Sequence, residues 1–328
     1  MIVVLFQNEN KEFEKREIRI NDTLPKNTVW IDLIEHQPEE EKYIERILNI
    51  EAPTEEEMDK FEVISPFYME NGVHYMTITV LDKASEDYPD SIAITLILTD
   101  KHLITARYDK PKSFEYLNSW ILRNKTKHFS PDYILTIAVD FMVNCCADIL
   151  EEIGNEIDNL LKVVFEKPID RKKNSSEFYN DIIRRIGYTG NVISKNRESL
   201  VSLNRMIIYF TQIDDAKYMN KKDSRLRIKH LSREISSLNE YANFLSQRTG
   251  FLLDATLGMI SVEQNIIIKV FTVAAAVFMP PTLIASIYGM NFTHMPELKL
   301  NFGYPLALLL IVVSALIPYF YFKRKGWL

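Results

Sequence analysis

A disulfide scaffold is excluded at once, because the 328-residue chain has only two cysteines, Cys145 and Cys146, and they are adjacent. Adjacent cysteines form neither a spaced framework nor a metal pattern, and they fit a reducing compartment. The six histidines, His36, His74, His102, His128, His230 and His294, show no metal spacing. The chain has no glycine-rich phosphate loop and no nucleophile motif. These absences speak against a membrane-anchored enzyme with its active site in residues 1–215, and no cofactor is expected. The start, Met1-Ile2-Val3-Val4-Leu5-Phe6-Gln7, has too few apolar residues and no basic region for a signal peptide, and reads as an edge or first strand.

Charge is missing from two long stretches. Residues 270–296 contain no Asp, Glu, Lys or Arg, and neither do residues 300–322. At about 1.5 Å rise per residue, each exceeds the roughly 30 Å hydrocarbon thickness of a bilayer. Upstream of residue 265 no run compares, so two C-terminal spans are expected. Residues 265–328 carry Lys269, Lys299, Lys323, Arg324 and Lys325 against Glu297 alone, a net +4; the whole chain has −6, which leaves −10 for residues 1–264. An acidic soluble part argues against a nucleic-acid partner, since phosphate contacts need clustered Lys and Arg. The same charge suits concentrating cations near a pore mouth, and suits equally the plain solubility of a large domain. Lys269 precedes the first span and Lys323-Arg324-Lys325 follow the second, so the positive-inside rule puts both termini in the cytoplasm.

The pattern predicts an α+β (α/β/α) cytosolic domain over residues 1–215, a stalk helix over 216–264 and a transmembrane module over 265–328. Within that module, span 1 covers about 266–290, an external loop 291–300, span 2 about 301–322 and a basic tail 323–328. Val29-Trp30-Ile31-Asp32-Leu33 reads as a strand, and a helix follows from Pro38 through Ile50. Thr54 and Glu57 form a capping box that opens a further helix or turn. Residues 73–81, 91–98 and 102–108, rich in β-branched and aromatic side chains, read as neighbouring strands. The acidic runs 39–41 and 55–57 sit in first turns, where the helix dipole favours them. A long helix starts at Ser130-Pro131 with an apolar stripe of Ile149, Ile153, Ile157, Leu160 and Val164, and ends near Pro168. Its carboxylates Glu152 and Glu156, one turn apart, read as a solvated face. A second long helix follows, then a break at 212–223.

The third helix is the most informative. Ile228, Leu231, Ile235, Leu238, Ala242, Leu245, Leu252 and Met259 recur at coiled-coil steps and run without a breaker into the first span. A helix of about 60 residues needs neighbours along its course, and copies of the chain around an axis are the expected supply. Inside the span, Asn265, Ile268, Thr272, Ala275, Met279, Thr282 and Ser286 step by three or four along one face, mostly small or polar, with Phe271 beside them. Such residues at membrane depth either pack helices or line a watery path, and the stripe alone leaves both open. Two spans per chain cannot enclose a pore, so conduction requires several chains. Pro280-Pro281 frees backbone carbonyls, which a neighbouring helix or water must satisfy.

The first span closes on Tyr288-Gly289-Met290-Asn291, followed by Met295-Pro296-Glu297-Leu298, by Phe302-Gly303-Tyr304-Pro305, and by a basic tail ending in Trp327-Leu328. In these motifs the stretch from Glu263 onward strongly resembles CorA-type magnesium transporters, whose signature is Gly-Met-Asn at the outer end of the first of two spans; upstream the resemblance is one of architecture. It implies a homopentameric channel in the plasma (inner) membrane, with the first span lining the pore and the second facing lipid. It implies that Asn291 binds a hydrated cation through its side-chain carbonyl, and that Gly289 and Met290 shape that turn. Asn265 matches the asparagine at the cytoplasmic end of the pore, Ile268 and Phe271 the hydrophobic constriction, and Thr282 a polar ring. Mg2+ is then the substrate, with Co2+ and Ni2+ secondary; in some members Mg2+ is also a regulatory ligand held by cytosolic carboxylates. By rough register Arg46 and His230 stand at those carboxylate positions, and neither is a good Mg2+ ligand. Asp254, in Phe251-Leu252-Leu253-Asp254-Ala255, matches a frequent family aspartate, as a regulatory ligand or a paired stalk carboxylate. The physics agrees with Mg2+, which dehydrates reluctantly: neutral amide oxygens can hydrogen-bond its water shell without stripping it. The alternative within the superfamily is a zinc transporter, whose members tend to depart from Met in the tripeptide. A third reading is a scaffold in which the stripe only packs helices. Asn291-Phe292-Thr293 is formally a glycosylation sequon, read as coincidence.

Overall fold

The computed structural model describes residues 1–58, 66–82, 89–124, 129–166, 175–213, 222–292, 295–300 and 302–327. The expected helix stop at Pro168, most of the break at 212–223, His128, Thr293, His294 and Leu328 lie outside the described residues. The chain forms two compact units, Met1–Leu253 and Asp254–Leu328.

In the first unit, β1 (Ile2–Gln7), β2 (Phe13–Ile18), β3 (Thr28–Ile34), β4 (Phe67–Glu70), β5 (Val73–Asp82), β6 (Asp90–Leu98) and β7 (Leu103–Arg107) form one sheet. Its order is β2-β1-β3-β7-β6-β5-β4. Only β3 and β7 pair in parallel; the other neighbours are antiparallel. β1 is the first strand and lies inside the sheet, because β2 covers its outer edge. The expected strands at 73–81, 91–98 and 102–108 are indeed neighbours.

The sheet is covered on both faces, which explains why its central strands are buried at successive positions rather than alternately. On one face α1 (Pro38–Leu48) sends Tyr43 and Ile44 onto Ile2, Val4, Ile31, Leu33, Ile104 and Ala106. Pro38 opens this helix, and the Glu40 carboxylate accepts from the Gln37 N–H at 3.0 Å and from the N-terminal ammonium at 2.7 Å. The helix stops at Leu48, two residues before the expected end, because Asn49 takes a left-handed φ of 53°. A helical turn follows at residues 55–58, capped as expected, with the Glu57 carboxylate accepting from Thr54 N–H and Oγ1 at 3.0 Å each.

On the other face lie α2 (Lys112–Arg123), α3 (Pro131–Glu166) and α4 (Ser175–Gln212). Phe114 of α2 packs near Trp30, and Phe129 stands edge-on to Phe13. In α3 the buried stripe is Leu150, Ile153, Ile157, Leu160 and Val164; Ile149, expected in it, is only half-buried and turns toward a cavity beside Cys145. Glu156 is not merely solvated, since Arg185 of α4 donates to it from Nε at 2.9 Å and Nη2 at 2.5 Å.

The third long helix, α5 (Lys222–Tyr288), runs for 67 residues. Ile228, Leu231, Ile235, Ala242, Leu245 and Leu252 of its seam are buried, and Leu238 and Met259 are half-buried. The partners of that seam belong to the same chain. Tyr241 and Leu245 lie over Gly154 of α3, Thr249 over Gly190 of α4, Arg248 pairs with Asp158, and Arg227 stands 3.6 Å from Asp140. Along residues 227–249, then, α3 and α4, antiparallel neighbours of matching length, supply neighbours from the same chain, a source that the periodicity of the seam did not reveal.

The second unit holds the rest of α5, a 3-10 turn at Pro296–Lys299 and α6 (Gly303–Arg324).

Candidate ion-conducting helix

Among the described residues, three helices are long and apolar enough to cross a membrane: Pro131–Phe165, Leu226–Tyr288 and Gly303–Arg324. Burial separates them. The most apolar window of the first is 56% buried within its own unit, against 6% and 0% for the other two. The first is therefore a core helix of the first unit, and the two C-terminal helices are the spans.

Within the second unit α5 has two unlike faces. Val273, Ala276, Val277, Pro280, Pro281, Ile284 and Tyr288 are the covered positions, with Val273 only 5% exposed. On α6 the covered positions are Gly303, Ala307, Ile311, Ser314, Ala315, Pro318 and Phe322, again a single face and rich in small residues. Among the described residues no other element of this unit is long enough to cover either, so these are the faces by which the two helices pack. Sequence reasoning passed over this second stripe; its signal was the small residues spaced by three and four along α6.

Opposite the covered face of α5 lies the stripe expected from sequence. At 3.6 residues per turn, Ile268, Thr272, Ala275, Met279, Thr282 and Ser286 fall within about 40° of the line diametrically away from Val277. Asn265 and Phe271 flank that line, and all eight side chains are exposed, Ile268 at 60% and Met279 at 68%. The stripe therefore does not pack α5 against its own second span. Its hydroxyls are oriented by the helix: Thr272 Oγ1 donates to Ile268 O and Thr282 Oγ1 to Phe278 O, both at 2.7 Å. A hydroxyl has one proton, and spending it on the backbone leaves oxygen lone pairs facing outward. Outward lone pairs suit the hydrogens of a cation's water shell. Pro280 and Pro281 lie on the covered face, and the helix passes through them unbroken.

The tripeptide closes α5. Gly289 N–H donates to Ala285 O at 3.0 Å and Met290 N–H to Ile287 O at 3.2 Å, after which the chain leaves the helix with Met290 and Asn291 exposed. A Cβ at Gly289 would stand 3.2 Å from Ala285 O, tighter than a side chain sits comfortably. The two loop motifs meet each other. Leu300 N–H donates to Glu297 O and Gly303 N–H to Leu300 O, and a Cβ on Gly303 would come within 2.5 Å of Glu297 O. Only glycine allows α6 to begin this close beneath the loop.

Asp254 is exposed on α5, and among the described residues no group of three or more His, Cys, Asp or Glu is arranged to hold a metal. Arg46 and His230 are exposed as well.

The sequence pattern of the CorA-like Mg2+ transporter protein family matches residues 25–324. The chain belongs to this family. The magnesium transport protein CorA of Escherichia coli strain K12 is 30% identical over 327 residues, 98% of this chain and 99% of that protein. CorA of Pasteurella multocida strain Pm70 is 30% identical over 306 residues, 92% of each. Among solved structures, the CorA magnesium transporter of Methanocaldococcus jannaschii superposes with a TM-score of 0.80 at 17% identity, over 100% of this chain and 99% of that one. The mixed sheet, the long stalk helix and the two C-terminal apolar helices are thus the CorA fold, and the family is one of transporters, not enzymes.

Proposed function

We propose that this chain is a divalent-cation transporter of the inner membrane that conducts hydrated Mg2+, and secondarily Co2+ and Ni2+, through a pore lined by α5. Five copies, as the resemblance implies, surround the axis, with both termini in the cytoplasm. The observation that carries the reading is the division of α5: one face is covered by α6, and the face bearing Thr272, Thr282 and Ser286 is left open. An exposed hydroxyl-bearing stripe has no favourable contact with lipid, and several copies turned inward would give it water and one another. Asn291, at the outer end, offers a neutral amide oxygen to a cation that keeps its waters, while Asn265 offers the same at the inner end and Ile268 and Phe271 narrow the path between. No carboxylate lies in the stripe, which keeps binding weak enough for exit. Membership of a Mg2+ transporter family supports the choice of ion. Asp254 would contribute a single carboxylate to a regulatory Mg2+ site, with its other ligands drawn from water or a neighbouring copy.

Purified protein in liposomes loaded with a Mg2+-sensitive dye tests this directly. An inward Mg2+ gradient should raise the signal, Co2+ and Ni2+ should compete, and cross-linking should trap a pentamer. A protein that stays monomeric in the bilayer, or conducts no Mg2+, would end the proposal.

A further inference from the structure

Where α6 ends, the chain does not trail away. Gly326 has φ +69°, and it turns the chain back so that Gly326 N–H donates to Lys323 O at 3.2 Å and Trp327 N–H to Phe322 O at 3.1 Å. These are the two bonds of a Schellman cap, and its usual apolar contact is present too, with the Trp327 and Phe322 rings stacked at 5.2 Å. The cap brings Trp327 to the beginning of span 1. Lys269 of α5 places Nζ 5.8 Å from the Trp327 ring centre, Lys325 lies 5.1 Å over Tyr321 and Lys323 5.9 Å over Tyr319. Lys269, Lys323, Arg324 and Lys325 are all exposed, and none has a carboxylate partner among the described residues. The aromatic rings are amphipathic anchors of the kind that sit at headgroup depth. On the wheel of α5, Lys269 lies about 100° from the centre of the open stripe, toward the side that carries α6. The cluster therefore faces the periphery of the hairpin rather than the proposed pore.

We propose that this capped end of the hairpin is a binding site for the phosphate headgroup of an anionic phospholipid in the cytoplasmic leaflet. Four cations without counter-ions stand at one end of the hairpin, Lys269 at the start of span 1 beside the Trp327 ring and Lys323, Arg324 and Lys325 at the end of span 2, and together they complement a phosphate in charge. The apolar side chains immediately above them accept its acyl chains. Basic clusters just inside a span are worth a substantial electrostatic attraction each to an anionic surface, falling off within a Debye length. Lys323 and Arg324, in the last turn of α6, and Lys325, its cap, are held at the end of the span by the helix itself, and the fold-back at Gly326 lays Trp327 beside Lys269. The inference rests on the spans and the cytoplasmic tail proposed above.

Trp327 is its own reporter. The full-length protein is placed in nanodiscs of phosphatidylcholine containing either brominated phosphatidylcholine or brominated phosphatidylglycerol at equal mole fraction. The Trp327→Phe protein supplies the background from Trp30 and Trp120, which lie in the first unit. The anionic lipid should be favoured by about fivefold or more over the zwitterionic one in quenching-derived partition. That preference should vanish in Lys323→Gln/Arg324→Gln/Lys325→Gln, and it should collapse in the unmodified protein when salt rises from about 0.05 to about 0.5 M. Equal quenching by the two lipids, or a preference that survives either the triple substitution or high salt, overturns the proposal. The salt series needs no variant, so poor insertion of the triple mutant leaves the test intact. Because the readout needs no ion flux and both leaflets of the disc are alike, loss of the transport reading or of the assumed orientation leaves this result separately readable.

Discussion

Gly154 of α3 and Tyr241 of α5 approach so closely that a Cβ on the glycine would stand 2.7 Å from the tyrosine hydroxyl oxygen and 3.7 Å from Leu245 Cδ2. This contact belongs to the seam that ties the long helix to α3 and α4. A methyl group there meets only the far end of one flexible side chain, so Gly154→Ala should be tolerated. Gly154→Leu cannot be accommodated without displacing Tyr241 and Leu245, and overpacking of this kind costs about 1–3 kcal/mol. Thermal unfolding of the full-length protein in detergent should show a lowered midpoint for the leucine variant and little change for alanine.

Asp32 and Arg107, on the one parallel strand pair, form a fully buried ion pair. Asp32 accepts from Arg107 Nε at 3.0 Å and Nη2 at 2.9 Å, and from Thr105 Oγ1 at 2.7 Å, while Arg107 Nη1 donates to Asp109 O. Asp32→Ala leaves a guanidinium without its partner in the core, which costs about 3–5 kcal/mol. Replacing both, as Asp32→Leu with Arg107→Met, removes the uncompensated charge. Chemical denaturation should find the double variant closer to the parent than the single one.

How far these features could be read beforehand depended on whether a residue's neighbours were close in sequence. The spans, the strands at β3, β5, β6 and β7, the cap at Thr54 and the mostly small or polar stripe of α5 all follow from local patterns and were legible. β2 was not, because as an edge strand it exposes Glu14, Arg16 and Glu17 and shows no apolar run; charge on an edge is what keeps it from pairing with other chains. β4 was missed although Asn71-Gly72, both at positive φ, marks the hairpin into β5. The seam of α5 was recognised, but periodicity states only that a face is covered and not by whom. Gly154 and Gly190, distant in sequence, supplied the answer. The fold-back of Trp327 likewise needed Gly326 to be seen at φ +69° rather than as one more residue of a tail.

Two histidines, buried His36 and half-buried His102, make the first unit sensitive to acid. Burial is the largest influence on both His36 and His102 and holds each below the ordinary histidine value; the nearby N-terminal ammonium adds to this at His36 and Lys101 at His102, while Glu40 and the Thr28 backbone oppose it. A histidine whose folded pKa is depressed takes up its proton more readily in the unfolded chain. Stability is therefore unaffected well above about pH 6.5 and declines as pH falls below it, until the folded pKa is passed. His36→Asn combined with His102→Asn should flatten that decline in unfolding curves recorded from pH 7.5 down to 5.

The cysteines should be inert in the folded protein. Burial pushes the Cys145 thiol up to about 11, with Asp148 and Asp82 adding to it, and burial pushes fully enclosed Cys146 up to about 12. Alkylation proceeds through the thiolate, whose fraction at pH 7.5 falls by about tenfold for each unit the pKa rises. Iodoacetamide should label the native protein far more slowly than the denaturant-unfolded chain, as peptide mass analysis after a timed quench would show.

Flux through single-residue variants decides whether the open stripe is a path or a packing surface. Asn291→Ala removes the neutral oxygen at the outer end without touching any covered position, so Mg2+ flux should fall by about tenfold or more, the equivalent of about 1.4 kcal/mol, with cross-linked oligomer unchanged. Thr282→Val keeps shape and deletes the outward lone pairs; one lost hydrogen bond of about 0.5–1.5 kcal/mol predicts a fall of roughly two- to tenfold. Ser314→Ala is the control, since Ser314 lies on the covered face of α6 and spends its hydroxyl on Ile311 O at 2.8 Å. It should conduct like the parent. If instead Asn291→Ala and Thr282→Val conducted normally while oligomers dissociated, the stripe would be a helix-packing surface, because a pore loses conductance before it loses its walls.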